Sequence, residues 1–212
     1  MIQGRASAAD HSFKAHPDSR LGGVPVKGVV FNLLEEFITR EYGEDAYEDI
    51  LDTCALENGG VFIGPETYPD ADFAALVDAA CGRLGVTRAD TLRAFGRFMF
   101  PSLLRRFPAF AEGHTHPRTF LKTVGDVIHV EVGKLMRETE PPEVTCVDAA
   151  HGGLILTYRS HRRLCALAEG LLDGAAAHFE TPLARRQTAC VDDGADRCEF
   201  DISFDATLER AS

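Results

Sequence analysis

No stretch of this 212-residue sequence approaches the roughly 20 consecutive apolar residues that a helix needs to cross a bilayer, so no membrane span is expected. The opening, MIQGRASAADHSFKAHPDSRLGGVP, lacks the apolar central stretch of a secretory signal. Basic residues are scarce: 22 Lys and Arg against 33 Asp and Glu leave a net charge of −11. A surface of that sign repels nucleic acid and anionic lipid, so neither is expected as a partner. There is no internal repeat and no low-complexity tract, which sets repeat architectures aside. With no export signal, a reducing cytoplasm is the expected compartment, and there the six cysteines do not build a disulfide framework. Clustered thiols in such a protein serve as metal ligands or redox sensors. Cys54 and Cys81, in apolar helical surroundings, are expected to be buried as small hydrophobes.

The remaining sequence organises itself by period. Residues 1–25, polar and bearing Gly and Pro, read as a disordered extension or leader (a start assigned upstream of Val26 is the other reading). Residues 26–206 read as one domain and 207–212 as a tail. From Gly28 to about Met136 the spacing is helical. GVVFNLLEEFITREYG places Val30, Phe31, Leu34, Phe37 and Ile38 on one face and stops at a glycine. GEDAYEDILDTCAL carries acids in its first turn, as a helix N-terminus favours. After a turn-rich GPETYPDAD loop, ADFAALVDAACGRLG closes on Gly85. Thr87 and Asp90 have capping-box spacing ahead of the next helix, which Pro101 is expected to end or kink. HPRTFLKTVGDVIHVEVGKLMRE makes a further helix, halted near Pro141 and Pro142. Beyond Pro142 the period becomes two. EVTCVD and GGLILTYRS form one hairpin, RRLCALAEGLLDGAAAHF a helix, and RRQTACVD with RCEFDISF a second hairpin turned at Asp193 and Gly194. Helices followed by a hairpin, helix, hairpin unit predict an α+β fold with a four-stranded antiparallel sheet.

Three groups of residues carry chemistry. His129 lies in the apolar segment FLKTVGDVIHVEVGKL, with Gly125 and Gly133 four residues before and after it, on the same helix face. A helix-interior glycine costs about 0.5–1 kcal/mol against alanine. The pair therefore means either space cleared around a ligand-bearing imidazole or room for a close neighbouring helix beside a core histidine. In YRSHRR, strand alternation puts Tyr158, Ser160 and Arg162 on one face, with Arg159 and His161 opposite. A phenol, a hydroxyl and a guanidinium make a donor row suited to carboxylates, or else an exposed polar strand end. Finally, Cys165 opens a helix while Cys190 and Cys198 come from the two strands of one hairpin. Three thiols so placed suit a structural zinc site short of one ligand, or a set of reduced cysteines with a sensor pair among them.

Taken together, these residues resemble the haem nitric oxide/oxygen binding (H-NOX) family, over about Lys27 to Phe204. KGVVFNLLEEF is similar to the family's opening, DVIHVEVGKL to its proximal-histidine helix, and YRSHRRLCALAEGLLDGAAAHF to its Y-x-S-x-R segment and following helix. The resemblance implies an N-terminal helical cluster and a four-stranded antiparallel sheet with an inserted helix, enclosing a b-type haem between the two halves. It makes His129 the axial iron ligand. Tyr158, Ser160 and Arg162 then bind the propionates, and Pro142 and Val30 touch the porphyrin. The distal positions fall on Leu34, Met99 and Leu167, all apolar. Family members that hold dioxygen use a distal tyrosine supported by Trp and Asn, so this set implies a bacterial nitric oxide sensor that excludes oxygen. Nitric oxide weakens the iron bond opposite to it, so release of His129 becomes the switch.

The resemblance also reaches the cysteines. A zinc-bearing subgroup uses three that match Cys165, Cys190 and Cys198, plus a histidine where this sequence has Gln187. His161, His178, a water or no metal at all would then complete that site. No kinase or cyclase segment is present, so the implied partner is a separate histidine kinase or cyclic-di-GMP enzyme. Two other readings stand beside this one. One is a haem-independent thiol or zinc redox sensor. The other is a small-ligand-binding domain of the 4-vinyl reductase type, which leaves His129 unexplained. No nucleophile, base and orienting residue can be assembled, so an enzyme is not expected.

Overall fold

The computed structural model describes residues 25–125 and 141–204. The expected N-terminal extension, His129 and Gly133 lie outside the described residues. The first half consists of α1 (Gly28–Tyr42), α2 (Glu44–Thr53), α3 (Asp70–Leu84), α4 (Arg88–Arg106) and the short α5 (Pro117–Thr123). Their boundaries follow local chemistry. Gly85 ends α3 in the left-handed region with φ of 68°. Thr87 caps α4 by accepting the Asp90 backbone N–H at 3.1 Å and donating its hydroxyl to the Asp90 carboxylate at 2.6 Å. The apolar faces meet in one core containing Phe31, Leu34, Phe37, Ile38, Ile50, Leu76, Phe95 and Met99.

The second half is a four-stranded antiparallel sheet with one helix laid against it. Its strands are β3 (Glu143–Asp148), β4 (Leu154–Arg159), β5 (Ala184–Ala189) and β6 (Cys198–Ser203), in the order β3-β4-β6-β5, and α6 (Cys165–His178) connects the hairpins. The expected α+β architecture is therefore the one observed. On β4 and β6 alternate residues are buried and pair across: Leu154 with Ile202, Leu156 with Phe200, Tyr158 with Cys198.

The two halves join where α4 crosses α6, and glycine permits the approach. A Cβ on Gly170 would collide with the Arg93 carbonyl, and one on Gly96 with the Leu167 carbonyl. Ion pairs flank this crossing. Arg93 reaches Glu169 at 2.6 Å, Arg97 reaches Asp173 at 3.0 Å, and Arg185 of β5 also pairs with Asp173.

Three expectations need correction and one is narrowed. Of the two outcomes expected at Pro101, an end to α4 is excluded, because the helix continues to Arg106. Proline leaves the Arg97 carbonyl without its helical donor, and that carbonyl lies against Gly174 of α6, 3.2 Å from where a Cβ would stand. Cys54 and Cys81 are half-buried rather than buried, with Cys81 Sγ 3.3 Å from the Thr91 hydroxyl. A short ladder, missed by periodicity, pairs Val26 and Lys27 (β1) with Tyr68 and Thr67 (β2) and ties the start of α1 to the loop before α3. The last concerns β4: it ends at Arg159, so Ser160 and Arg162 stand in a turn and not on a continuing strand.

Candidate functional site

Chemistry-bearing groups collect along one row across the sheet. Val144 on β3 opposes Tyr158 on β4, and Tyr158 opposes Cys198 on β6. The next neighbour is set by an irregularity in β5. Gln187 pairs with Phe200, yet Ala189 pairs with Glu199, so Thr188 is an extra residue. Without that bulge the register would carry Cys190 past Cys198 to face Arg197. With it, one further step places Cys190 opposite Cys198. A one-residue slip in a strand reverses which face each side chain occupies, and here it turns a thiol toward a thiol.

Tyr158 is buried, 6% exposed. Burial pushes its phenol above the ordinary tyrosine range, against the opposing effects of the Ser160 hydroxyl, the Leu164 backbone and the Arg162 guanidinium. It therefore stays a neutral donor. Arg162 donates from its backbone N–H to Ser160 Oγ at 3.3 Å and from Nη2 to the Pro25 carbonyl at 3.1 Å. The turn after β4 thus gathers phenol, hydroxyl and guanidinium by folding back, where sequence reasoning had them in line along a strand. Pro142 precedes β3 and is half-buried. Val30, also half-buried, packs on the helical core. Leu34, Met99 and Leu167, from α1, α4 and α6, are buried in that same core. None of these residues lines the groove between α1 and α4 around Phe37, Phe98 and Pro101.

Cys165, at the first turn of α6, brings the third sulfur. The Sγ atoms of Cys165, Cys190 and Cys198 all lie within 4.8 Å of one another, and Cys165 and Cys190 are 3.9 Å apart. Burial, then the neighbouring thiols of Cys198 and Cys190, push the Cys165 thiol up to about 12. Burial raises the Cys198 thiol as well; a soft metal cation is what would favour thiolate forms here. No histidine joins the group among the described residues. His161 faces Asp70 at 3.5 Å, and His178 packs tilted against Phe100 and edge-on against Phe179. Gln187 Nε2 is buried without a hydrogen-bond partner among the described residues, beside Arg93, Glu169 and Arg185.

Sequence reasoning overlooked one neighbour. Asp192 places Oδ2 3.8 Å from Cys165 Sγ, while its Oδ1 pairs with Arg163 at 2.7 Å. Its only sequence signal was an acid two residues after a candidate ligand, in a segment that also reads as a turn.

A family model described as Haem-NO-binding matches residues 27–187. Among solved structures, an H-NOX protein from S. oneidensis in the Fe(II)NO ligation state is 30% identical, with 85% of this chain and 99% of that one covered at a TM-score of 0.80. An NMR structure of the H-NOX domain from Shewanella oneidensis in the Fe(II)CO state matches over the same shares at 0.78. An unliganded Fe(II) H-NOX protein from K. algicida, 22% identical, covers 86% and 98% at 0.78 and bears on the fold.

Proposed function

The chain belongs to the H-NOX family of haem-based gas sensors, and on that premise we propose that it senses nitric oxide and excludes oxygen. Haem, when bound, supplies a ferrous iron with one open position for a diatomic gas. The donor set fits such a group: Tyr158, Ser160 and Arg162 offer neutral and cationic donors for two propionates. His129 is the proposed axial ligand, and Val30 and Pro142 the porphyrin contacts. The observation that carries the choice of gas is the shared burial of Leu34, Met99 and Leu167 in one apolar core. Dioxygen, being polarised when held, needs a protein donor; nitric oxide does not. Of the buried hydroxyls in the helical half, Thr91 donates to the Thr87 carbonyl and Ser102 accepts from Arg105. Tyr47, whose hydroxyl has no partner among the described residues, is the group to exclude by mutation.

His129 is also the proposed latch, released when nitric oxide is sensed. Gly125 keys the start of that segment to the sheet, because any Cβ there would collide with the Val144 carbonyl. Displacement of the segment would be felt at β3, and a separate histidine kinase or cyclic-di-GMP enzyme is the proposed reader. Cys165, Cys190 and Cys198 are proposed to hold zinc, for which three converging sulfurs are a fitting donor set. No helix among the described residues is long and apolar enough to cross a membrane.

The decisive measurement is an anaerobic absorption spectrum of the reduced, haem-loaded protein. A five-coordinate ferrous band that moves with nitric oxide and stays put in air-level oxygen is expected. A stable oxygen complex overturns the choice of gas, and its loss in Tyr47→Phe would name the donor responsible. His129→Gly should lose the native band and regain it with added imidazole.

A further inference from the structure

Resting on the zinc reading above, we propose that Asp192 is the fourth zinc ligand, completing a three-cysteine, one-carboxylate site. Structural zinc takes four ligands in a tetrahedron, with metal–sulfur bonds of about 2.3 Å and metal–oxygen bonds of about 2.0–2.2 Å. Two sulfurs sharing such an ion stand about 3.8 Å apart and a sulfur and an oxygen about 3.5 Å apart. Cys165 and Cys190 are 3.9 Å apart, and Asp192 Oδ2 is 3.8 Å from Cys165 Sγ. That oxygen is close to bonding geometry with Cys165; it stands outside the group of three sulfurs that lie within 4.8 Å of one another, so a swing of the exposed Asp192 side chain toward Cys190 and Cys198 completes the tetrahedron.

The other oxygen is already held. Arg163 contacts Oδ1 at 2.7 Å and also donates to the Val191 carbonyl at 2.9 Å. Arg163 adopts a positive φ of 51°, a conformation that a non-glycine residue keeps only where its surroundings enforce it. The guanidinium therefore both aims the carboxylate and offsets the surplus negative charge of three thiolates and one carboxylate around a dication. Loading converts three thiols to thiolates and releases three protons to solvent. Gln187 is a poor substitute: its buried amide lies beside Arg93, Glu169 and Arg185. The histidines considered from sequence are engaged elsewhere, with Asp70 and with two phenylalanine rings.

The test uses the full chain, with zinc content by elemental analysis, zinc affinity by competition with a chromophoric chelator, and cobalt(II) substitution read by absorption. Asp192 is 57% exposed, so its variants should fold, which circular dichroism checks. Arg163→Gln is expected to weaken zinc about 10-fold, within the range over which outer-shell partners act, and Asp192→Asn, at a ligand, by at least the top of that range, about 100-fold. Gln187→Ala should leave affinity unchanged, and Asp192→His should restore tight binding with shifted cobalt bands. If Asp192→Asn keeps wild-type affinity and cobalt spectrum while Cys198→Ala loses both, the fourth ligand is not Asp192 and only this inference falls. If wild type from zinc-replete growth carries no zinc, the zinc reading itself falls and takes the ligand with it. A loss in Gln187→Ala would assign the role to the amide.

Discussion

The helices from Gly28 to Thr123 and the sheet from Glu143 to Ser203 are packed in contrasting ways. In the helical half the core is built on phenylalanine: Phe31 stacks on Phe62 at 4.1 Å, Phe73 edges onto Phe31, and Phe95 lies between Phe37 and Phe73. In the sheet half the buried row runs from aliphatic residues into Tyr158, Cys198 and Cys190. Rings and aliphatic chains fill space and do little else, whereas a buried phenol and two buried thiols require partners. Apart from the Tyr47 phenol, one half therefore supplies an inert wall, and the other carries the groups proposed to hold haem and zinc. The largest expected effect tests that division. Phe95→Ala, at a fully buried site, should cost about 3–5 kcal/mol by denaturant unfolding and leave zinc content unchanged. Loss of zinc from folded Phe95→Ala would mean that the wall shapes the sheet site as well.

A second substitution asks whether the halves are separable at all. Gly170→Val puts a branched side chain where the Arg93 carbonyl already stands. Overpacking of this kind costs about 1–3 kcal/mol, and because the seam belongs to both halves a single unfolding transition should shift as a whole. Two resolved transitions would show that the halves fold independently, which calorimetry would reveal. The third effect is smaller and confined to the sheet. Tyr158→Phe removes one hydroxyl from the proposed anchor set, with an expected loss of about 1 kcal/mol or about fivefold in haem retention, measured as the rate of haem transfer to a scavenger protein. Unchanged retention would remove the phenol from the anchor set.

The two halves were also unequally legible. Periodicity and caps located α1, α3 and α4, because the signals at Phe31, Leu34, Gly85 and Thr87 are local. Period-two spacing likewise gave β3 its residues, Glu143 to Asp148, and fixed the antiparallel arrangement. What stayed hidden depends on partners distant in sequence. Val26 pairs with Tyr68 over too few residues to show a period. Pro101 is tolerated because Gly174, on another helix, leaves room for the Arg97 carbonyl. The bulge at Thr188 exists only relative to β6, and it decides that Cys190 meets Cys198. Asp192 looks like a turn residue until Cys165, far earlier in the chain, is seen beside it. Tyr158, Ser160 and Arg162, the proposed anchor, were singled out as a set, but the turn that gathers them was read as strand.

The smallest effect separates the two faces of a single strand. On β6 the residues Cys198, Phe200 and Ile202 are buried, while Asp201 points outward to His151 at 2.6 Å and Arg186 at 3.3 Å. The hydrogen bond from His151, aided by Arg186, holds the Asp201 carboxyl below the usual carboxylate range. A carboxyl whose folded value is depressed contributes stability that is fully present above its unfolded value, about 3.9. That contribution is lost as pH falls through the lower folded value. Asp201→Asn should therefore cost about 0.5 kcal/mol at neutral pH, as solvent-screened pairs do, and the gap to wild type should close as the pH drops below about 4. Unfolding titrations at several pH values would show it. A gap that persists into acid would mean that Asp201 acts through packing rather than charge, and the outer face of the sheet would then resemble the inner one more than its burial pattern implies.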